Sequence, residues 1–124
     1  MTLERVIAFG AAWNSGDADL VASFFADDGV YHAAMAPSHM GQTFRGRAEI
    51  RRGVAAFFDD FPDGKFENLR VVVAGNFGSF KWDFLATNEN GATVRAAGHV
   101  LLTFRSDRVV VANAFPKARQ NEMA

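Results

Sequence analysis

From Lys65 onward the apolar side chains recur at every second position, whereas up to Phe61 they recur at every third or fourth. One kind of element cannot satisfy both periods. Spacing of three and four buries a stripe of a helix, and spacing of two lines one face of a strand. The switch divides the chain into a helical first half and a sheet-forming second half, which predicts an α+β fold with helices on one face of an antiparallel sheet. Strands are expected at Phe66–Ala74, Phe77–Asn88, Thr93–Arg105 and Arg108–Phe115. Asn90-Gly91 is the strongest hairpin signal, and Ser106-Asp107 joins the last two strands without a glycine.

In the first half, Thr2 is placed to cap a helix whose stripe is Leu3, Val6, Ile7, Gly10 and Trp13, with Phe9 on its flank. Asn14-Ser15-Gly16 ends that helix, and Asp17 caps a second one carrying Leu20, Val21, Phe24 and Phe25. Asp27-Asp28-Gly29 reads as a helix stop and Val30-Tyr31-His32-Ala33 as a strand. Residues 33–46, with Met35, Pro37, Met40 and Gly41, read as one long loop bordering a cavity mouth. A third helix starts near Arg47, presents Ile50, Val54, Phe57, Phe58 and Phe61, and ends at Pro62-Asp63-Gly64.

At 124 residues the chain is expected to form a single domain over 1–124. Thirteen Phe residues in so small a core imply a tightly filled interior or an apolar cavity with a buried interface. A net charge of −1 leaves no electrostatic footprint for nucleic acid. Without cysteine there is no disulfide framework and no thiolate chemistry. No leader-like or membrane-length apolar run is present, so a soluble, cytoplasmic protein without membrane partners is expected. His32, His39 and His99 lack metal-ligand spacing, and neither metal nor cofactor is expected. Arg45, Arg47, Arg51 and Arg52 could gather an anion but read more simply as a solvated helix face.

Strand parity proposes which side chains share a cavity. With a two-residue turn around Glu89–Gly91, Lys81, Asp83 and Leu85 share a face with Gly98, Val100 and Leu102. With a second two-residue turn at Ser106-Asp107, Val100 lies opposite Asn113, bringing Lys81, Asp83 and Asn113 to one face. The other face then carries Phe80, Trp82, Phe84 and Leu101, a surface apolar enough to expect a homodimer built on it.

Trp13-Asn14-Ser15-Gly16-Asp17, Phe25-Ala26-Asp27-Asp28 leading into Val30-Tyr31-His32, Gly46-Arg47 with Ile50, and Gly98 in a long strand together resemble the SnoaL-like members of the nuclear transport factor two-like superfamily. The resemblance spans essentially the whole chain. It implies a cone-shaped roll, a curved antiparallel or mixed sheet wrapped round N-terminal helices in the manner of a cystatin-like α+β barrel. Its members include polyketide cyclases, isomerases, dehydratases, epoxide hydrolases and non-catalytic binders, so fold alone does not give activity. Matched to ketosteroid isomerases, the functional positions fall on Phe9, Ala33 and Val100, none of which can move a proton. Matched to limonene epoxide hydrolases, Tyr31 and Asp83 are kept, while Lys81, Asn113 and Ala33 replace an Arg, an Asp and an Asn.

The combined expectation is a cavity for a small, largely apolar, cyclic molecule. Phe9, Trp13, Phe57, Val100, Leu102 and Phe104 would enclose it. Asp83 would act as base, Lys81 as its electrostatic partner, and Tyr31 and Asn113 would position water or a carbonyl. Non-catalytic binding in the same cavity, or an interaction module using the convex face, are the alternatives.

Overall fold

A computed structural model describes residues 1–34, 42–88 and 90–117. The elements run α1 (Leu3–Ala12), α2 (Ala18–Ser23), β1 (Phe25–Ala33), β2 (Gln42–Arg45), α3 (Arg47–Asp60), β3 (Lys65–Ala74), β4 (Phe77–Thr87), β5 (Thr93–Arg105) and β6 (Arg108–Pro116). The six strands form one mixed sheet in the order β2-β1-β6-β5-β4-β3. All neighbours are antiparallel except β1 and β6, which run parallel. The sheet is open, with β2 and β3 at its edges, and the helices pack on its inner face.

The caps are where the sequence puts them. Thr2 accepts the Arg5 N–H through its hydroxyl, and the Asp17 carboxylate accepts the Leu20 N–H. Between these helices Ser15 bonds the Ala12 carbonyl while receiving the Asp17 N–H, so the turn is stapled from both sides. Asn14 reaches further. Its side-chain amide donates to the Phe66 carbonyl (2.8 Å) and accepts the Phe66 N–H (2.7 Å). A β-strand neighbour would offer the same two bonds, so Asn14 occupies one rung of the ladder that edge strand β3 lacks.

Two local readings need correction. Asp27-Asp28-Gly29 is not a helix stop, because α2 already ends at Ser23 and the three residues lie inside β1. They form a bulge against β6, between the pairs Phe25–Val109 and Val30–Val111. Arg47 holds this bulge by bonding the Phe25 carbonyl and Asp27, and Arg105 holds it through Asp28. A polar tripeptide with glycine reads locally as a turn; arginines distant in sequence make it a strand. The predicted 33–46 loop is also too long, since Gln42–Arg45 pairs with β1 as a strand. Its segment 35–41, with Met35, Pro37, His39, Met40 and Gly41, lies outside the described residues.

The larger correction is register. Asn88 N–H bonds the Ala92 carbonyl, and the Asn88 side chain accepts the Asn90 and Ala92 N–H groups. The β4–β5 turn is therefore one residue longer than the two assumed, with Gly91 at φ +78° in the left-handed position such a loop requires. Positions then pair to an even sum: Phe80 with Val100, Trp82 with Gly98, Lys81 with His99. The β5–β6 turn is as short as expected, but a bulge at Val110, between the pairs Phe104–Val109 and Thr103–Val111, shifts the rest, setting Asn113 opposite Leu101 and Ala114 opposite Val100. The faces of β4 are thus exchanged. Phe80 (3% exposed), Trp82 (3%) and Phe84 (2%) are core, not a dimer surface. Gly98 makes room for this, because a Cβ there would sit 2.6 Å from the Trp82 ring.

Candidate functional site

The core is continuous with a cavity of about 390 Å³ between α1, α3 and the inner face of the sheet. That volume is in the range of small-molecule sites. Phe9 and Gly10 of α1, with Trp13 at its C-cap, form one wall, and Phe66, Phe80, Trp82 and Val100 form the sheet side. On α3 the lining residues are Glu49, Arg52, Gly53, Ala56, Phe57 and Asp60, a stripe at helical spacing, with Phe61 just beyond the helix. Ile50 and Val54, both fully buried, face the core between them. The first strand pair supplies the last wall, with Tyr31, Ala33, Gln42 and Phe44.

Aromatic rings interlock around the space. Trp13 meets Tyr31 at 5.5 Å between centroids, and Tyr31 stacks on Phe44 at 5.9 Å with 19° between planes. Phe44 in turn lies against Gly53, where a Cβ would be 2.5 Å from its ring. A side chain at 53 would push Phe44 toward the cavity, so the glycine sets the distance between α3 and β2.

Polar groups are few and graded by depth. Tyr31 is half-buried and turns its open surface to the cavity. Burial pushes its phenol above the usual value, so the hydroxyl keeps its proton and can donate a hydrogen bond. Its hydroxyl has no hydrogen-bond partner among the described residues, and the buried Trp13 Nε1–H has none either. Gln42, Glu49, Arg52 and Asp60 stand nearer the mouth.

The sequence-derived site is therefore split. Phe9, Trp13, Tyr31, Phe57 and Val100 do line the cavity. Leu102 and Phe104 share its face but are packed in the core outside it. Lys81, Asp83 and Asn113 lie together on the outer face, away from the cavity. The Lys81 and Asp83 side chains are 54% and 40% exposed and 3.5 Å apart. Asp83 accepts a bond from Asn68 at 2.9 Å, and chiefly this bond, with help from the Lys81 charge, holds its carboxyl below the usual carboxylate value against the opposing desolvation. A base kept ionised by a surface hydrogen bond, on the wrong side of the sheet, cannot serve a ligand in the cavity. The epoxide hydrolase match loses its Asp–Lys element for the same reason: Trp82 stands at the inner position between them.

Gln42, Glu49, Arg52, Gly53, Phe61, Phe66, Phe80 and Trp82 are cavity residues the sequence reading did not select. A signal for the α3 members was present. Glu49, Arg52, Gly53, Ala56, Phe57 and Asp60 recur at i, i+3, i+4, i+7, i+8 and i+11, a second stripe beside the apolar one.

The comparisons with known proteins agree with this architecture. Residues 6–112 match the model of the SnoaL-like domain. The chain therefore belongs to the SnoaL-like domain family. No curated protein matches the sequence. Among solved structures, a candidate polyketide cyclase from Xanthomonas campestris superposes with a TM-score of 0.80 at 18% identity, over 97% of this chain and 91% of that one. A candidate polyketide cyclase from Pseudomonas putida gives 0.81 at 15% identity, over 99% and 96%. A protein with a ketosteroid isomerase-like fold from Catenulispora acidiphila, in complex with trimethylamine, gives 0.70 at 24% identity, over 93% and 86%. At these identities the likeness is one of fold. No helix among the described residues is long and apolar enough to cross a membrane.

Proposed function

We propose that this chain binds a small, largely apolar, flat or cyclic molecule in the cavity between α1, α3 and the sheet. The observation that carries the reading is the pairing of an aromatic-walled space of about 390 Å³ with a protonated Tyr31 whose hydroxyl has no partner among the described residues. Aromatic walls stabilise a flat apolar body, and an unpaired donor rewards one acceptor atom on it. With Lys81 and Asp83 on the outer face, proton abstraction by that pair is not part of the reading. If the site is catalytic, the role its geometry offers Tyr31 is hydrogen-bond donation to a carbonyl or epoxide oxygen.

Trp13 and Trp82 both wall the cavity, so titration with an aromatic ketone such as 2-acetonaphthone should quench intrinsic fluorescence saturably. Tyr31→Phe should weaken that binding by about tenfold, the scale of one hydrogen bond, without lowering the melting temperature. Absence of saturable quenching by any flat aromatic probe would defeat the proposal.

We further propose that two copies associate through the outer sheet face. Val72 (61% exposed), Phe77 (49%) and Phe115 support this, since they leave an apolar surface beside Leu101. Light scattering at micromolar concentration showing only monomer would refute it.

A further inference from the structure

Three arginines of α3 look alike in the sequence, and the structure separates them. Arg47 bonds the Phe25 carbonyl and Asp27, and Arg51 pairs with Asp19 of α2. Both are committed to holding the helix against its neighbours. Arg52 instead lines the cavity and makes no hydrogen bond or ion pair among the described residues.

Two neutral donors and two carboxylates share the cavity with Arg52. Gln42 lies on the cavity face of β2, two positions from Phe44, whose ring rests on Gly53 next to Arg52. Tyr31, directly paired with Phe44, continues the line inward with its protonated hydroxyl. Two carboxylates also border the space. Glu49 already accepts the Arg45 N–H at 3.1 Å and stands in the first turn of α3, where the helix dipole favours a negative charge. Asp60 is eight positions beyond Arg52, roughly 12 Å along the helix axis. Neither is paired with Arg52.

We propose that Arg52 reads an anionic group on the ligand, so that the cavity takes an aromatic or polycyclic carboxylate with its ring system between Trp13, Phe57 and Phe66 and its carboxylate at the α3–β2 rim. A guanidinium offers a planar fork that matches both oxygens of a carboxylate, and the Gln42 amide supplies a further donor at that rim. This rests on the cavity-binding reading above and adds the charge of the ligand to it.

The test uses three probes that share one ring system: 2-naphthoate, neutral 2-naphthamide and (2-naphthylmethyl)trimethylammonium. Each is titrated against tryptophan fluorescence at low ionic strength, where an exposed rim charge is least screened. Wild type should bind the carboxylate about tenfold more tightly than the amide, a charge-assisted bond discounted for its exposure. Arg52→Gln should bring the two to near equality by weakening the carboxylate far more than the amide, with an unchanged cooperative thermal transition showing that the variant is folded. Arg52→Lys should keep part of the preference. Equal affinities in wild type, tightest binding of the ammonium probe, or a carboxylate preference that survives Arg52→Gln would each overturn the assignment while leaving the cavity reading intact. Failure of all three probes to bind would overturn both.

Discussion

The two faces of β4 are built from alternating residues of one strand and could hardly differ more. Phe80, Trp82 and Phe84 are sealed against the helices, while Lys81 and Asp83 stand in solvent one residue away. Composition alone does not say which set faces in. A chain with apolar residues at both parities has two plausible foldings of the same strand, and a single residue in a turn decides between them. On the inner face each position is constrained by several neighbours. Trp82 meets the Phe66 ring edge-on at 5.6 Å and lies over Gly98, and Phe84 packs on Phe57, Phe61 and Phe66. On the outer face the polar side chains answer mainly to one another.

That contrast can be broken most sharply at Trp82. Trp82→Glu places a charge in the aromatic core and should abolish folding, seen as loss of the cooperative thermal transition; the same substitution on an outward face would leave it intact. A smaller loss is expected from Gly53→Val, which forces Phe44 off α3. Overpacking of this kind costs about 1–3 kcal/mol in denaturant unfolding, and probe binding should fall with it because Phe44 is displaced toward the cavity. Asp83→Leu should shift the melting temperature by no more than about 2 °C and leave probe affinity unchanged, since the group is exposed and remote from the cavity. A large effect on binding would return Asp83 to the site.

The smallest expected effect is in acid titration. Asp28, Asp63 and Asp83 are each held below the usual carboxylate value, chiefly by hydrogen bonds from Arg105, Thr87 and Asn68 respectively. A depressed folded-state pKa adds stability above the ordinary carboxylate value, and that stability is lost as pH falls through the lowered one. Unfolding free energy should therefore decline below about pH 4. In Asn68→Ala the Asp83 carboxyl should titrate at higher pH, nearer its ordinary value, when followed by NMR.

Much of the architecture was legible because local chemistry and tertiary fold agree. The Thr2 and Asp17 caps, the Pro62-Asp63-Gly64 stop and the period-two strands each point to one answer, and the elements begin and end within a residue or two of those signals. Where a distant partner decides, legibility fails: the Asp27–Gly29 bulge depends on Arg47 and Arg105. The candidate site suffered most because it rested on two turns. Asn88 did signal the longer loop, since its side chain can accept from Asn90 and Ala92, but the bulge at Val110 has no local mark. Residues contributed by helices, Phe9, Trp13 and Phe57, survived because a helical stripe does not depend on hairpin register.

The Asn14 amide has a mechanical consequence. It joins the end of α1 to the edge of β3 by two hydrogen bonds on either side of Phe66, whose ring is part of the cavity wall. A ligand that needed to spread α1 from β3 would have to break both bonds at once. The opposite wall, where β2 meets α3, is joined by Phe44 lying on Gly53 and by a single hydrogen bond, Arg45 N–H to Glu49. Breathing motions that admit a guest should therefore run through β2 and α3. In hydrogen exchange, the Phe66 amide should rank among the slow protons of the sheet although its strand has no neighbour on that side.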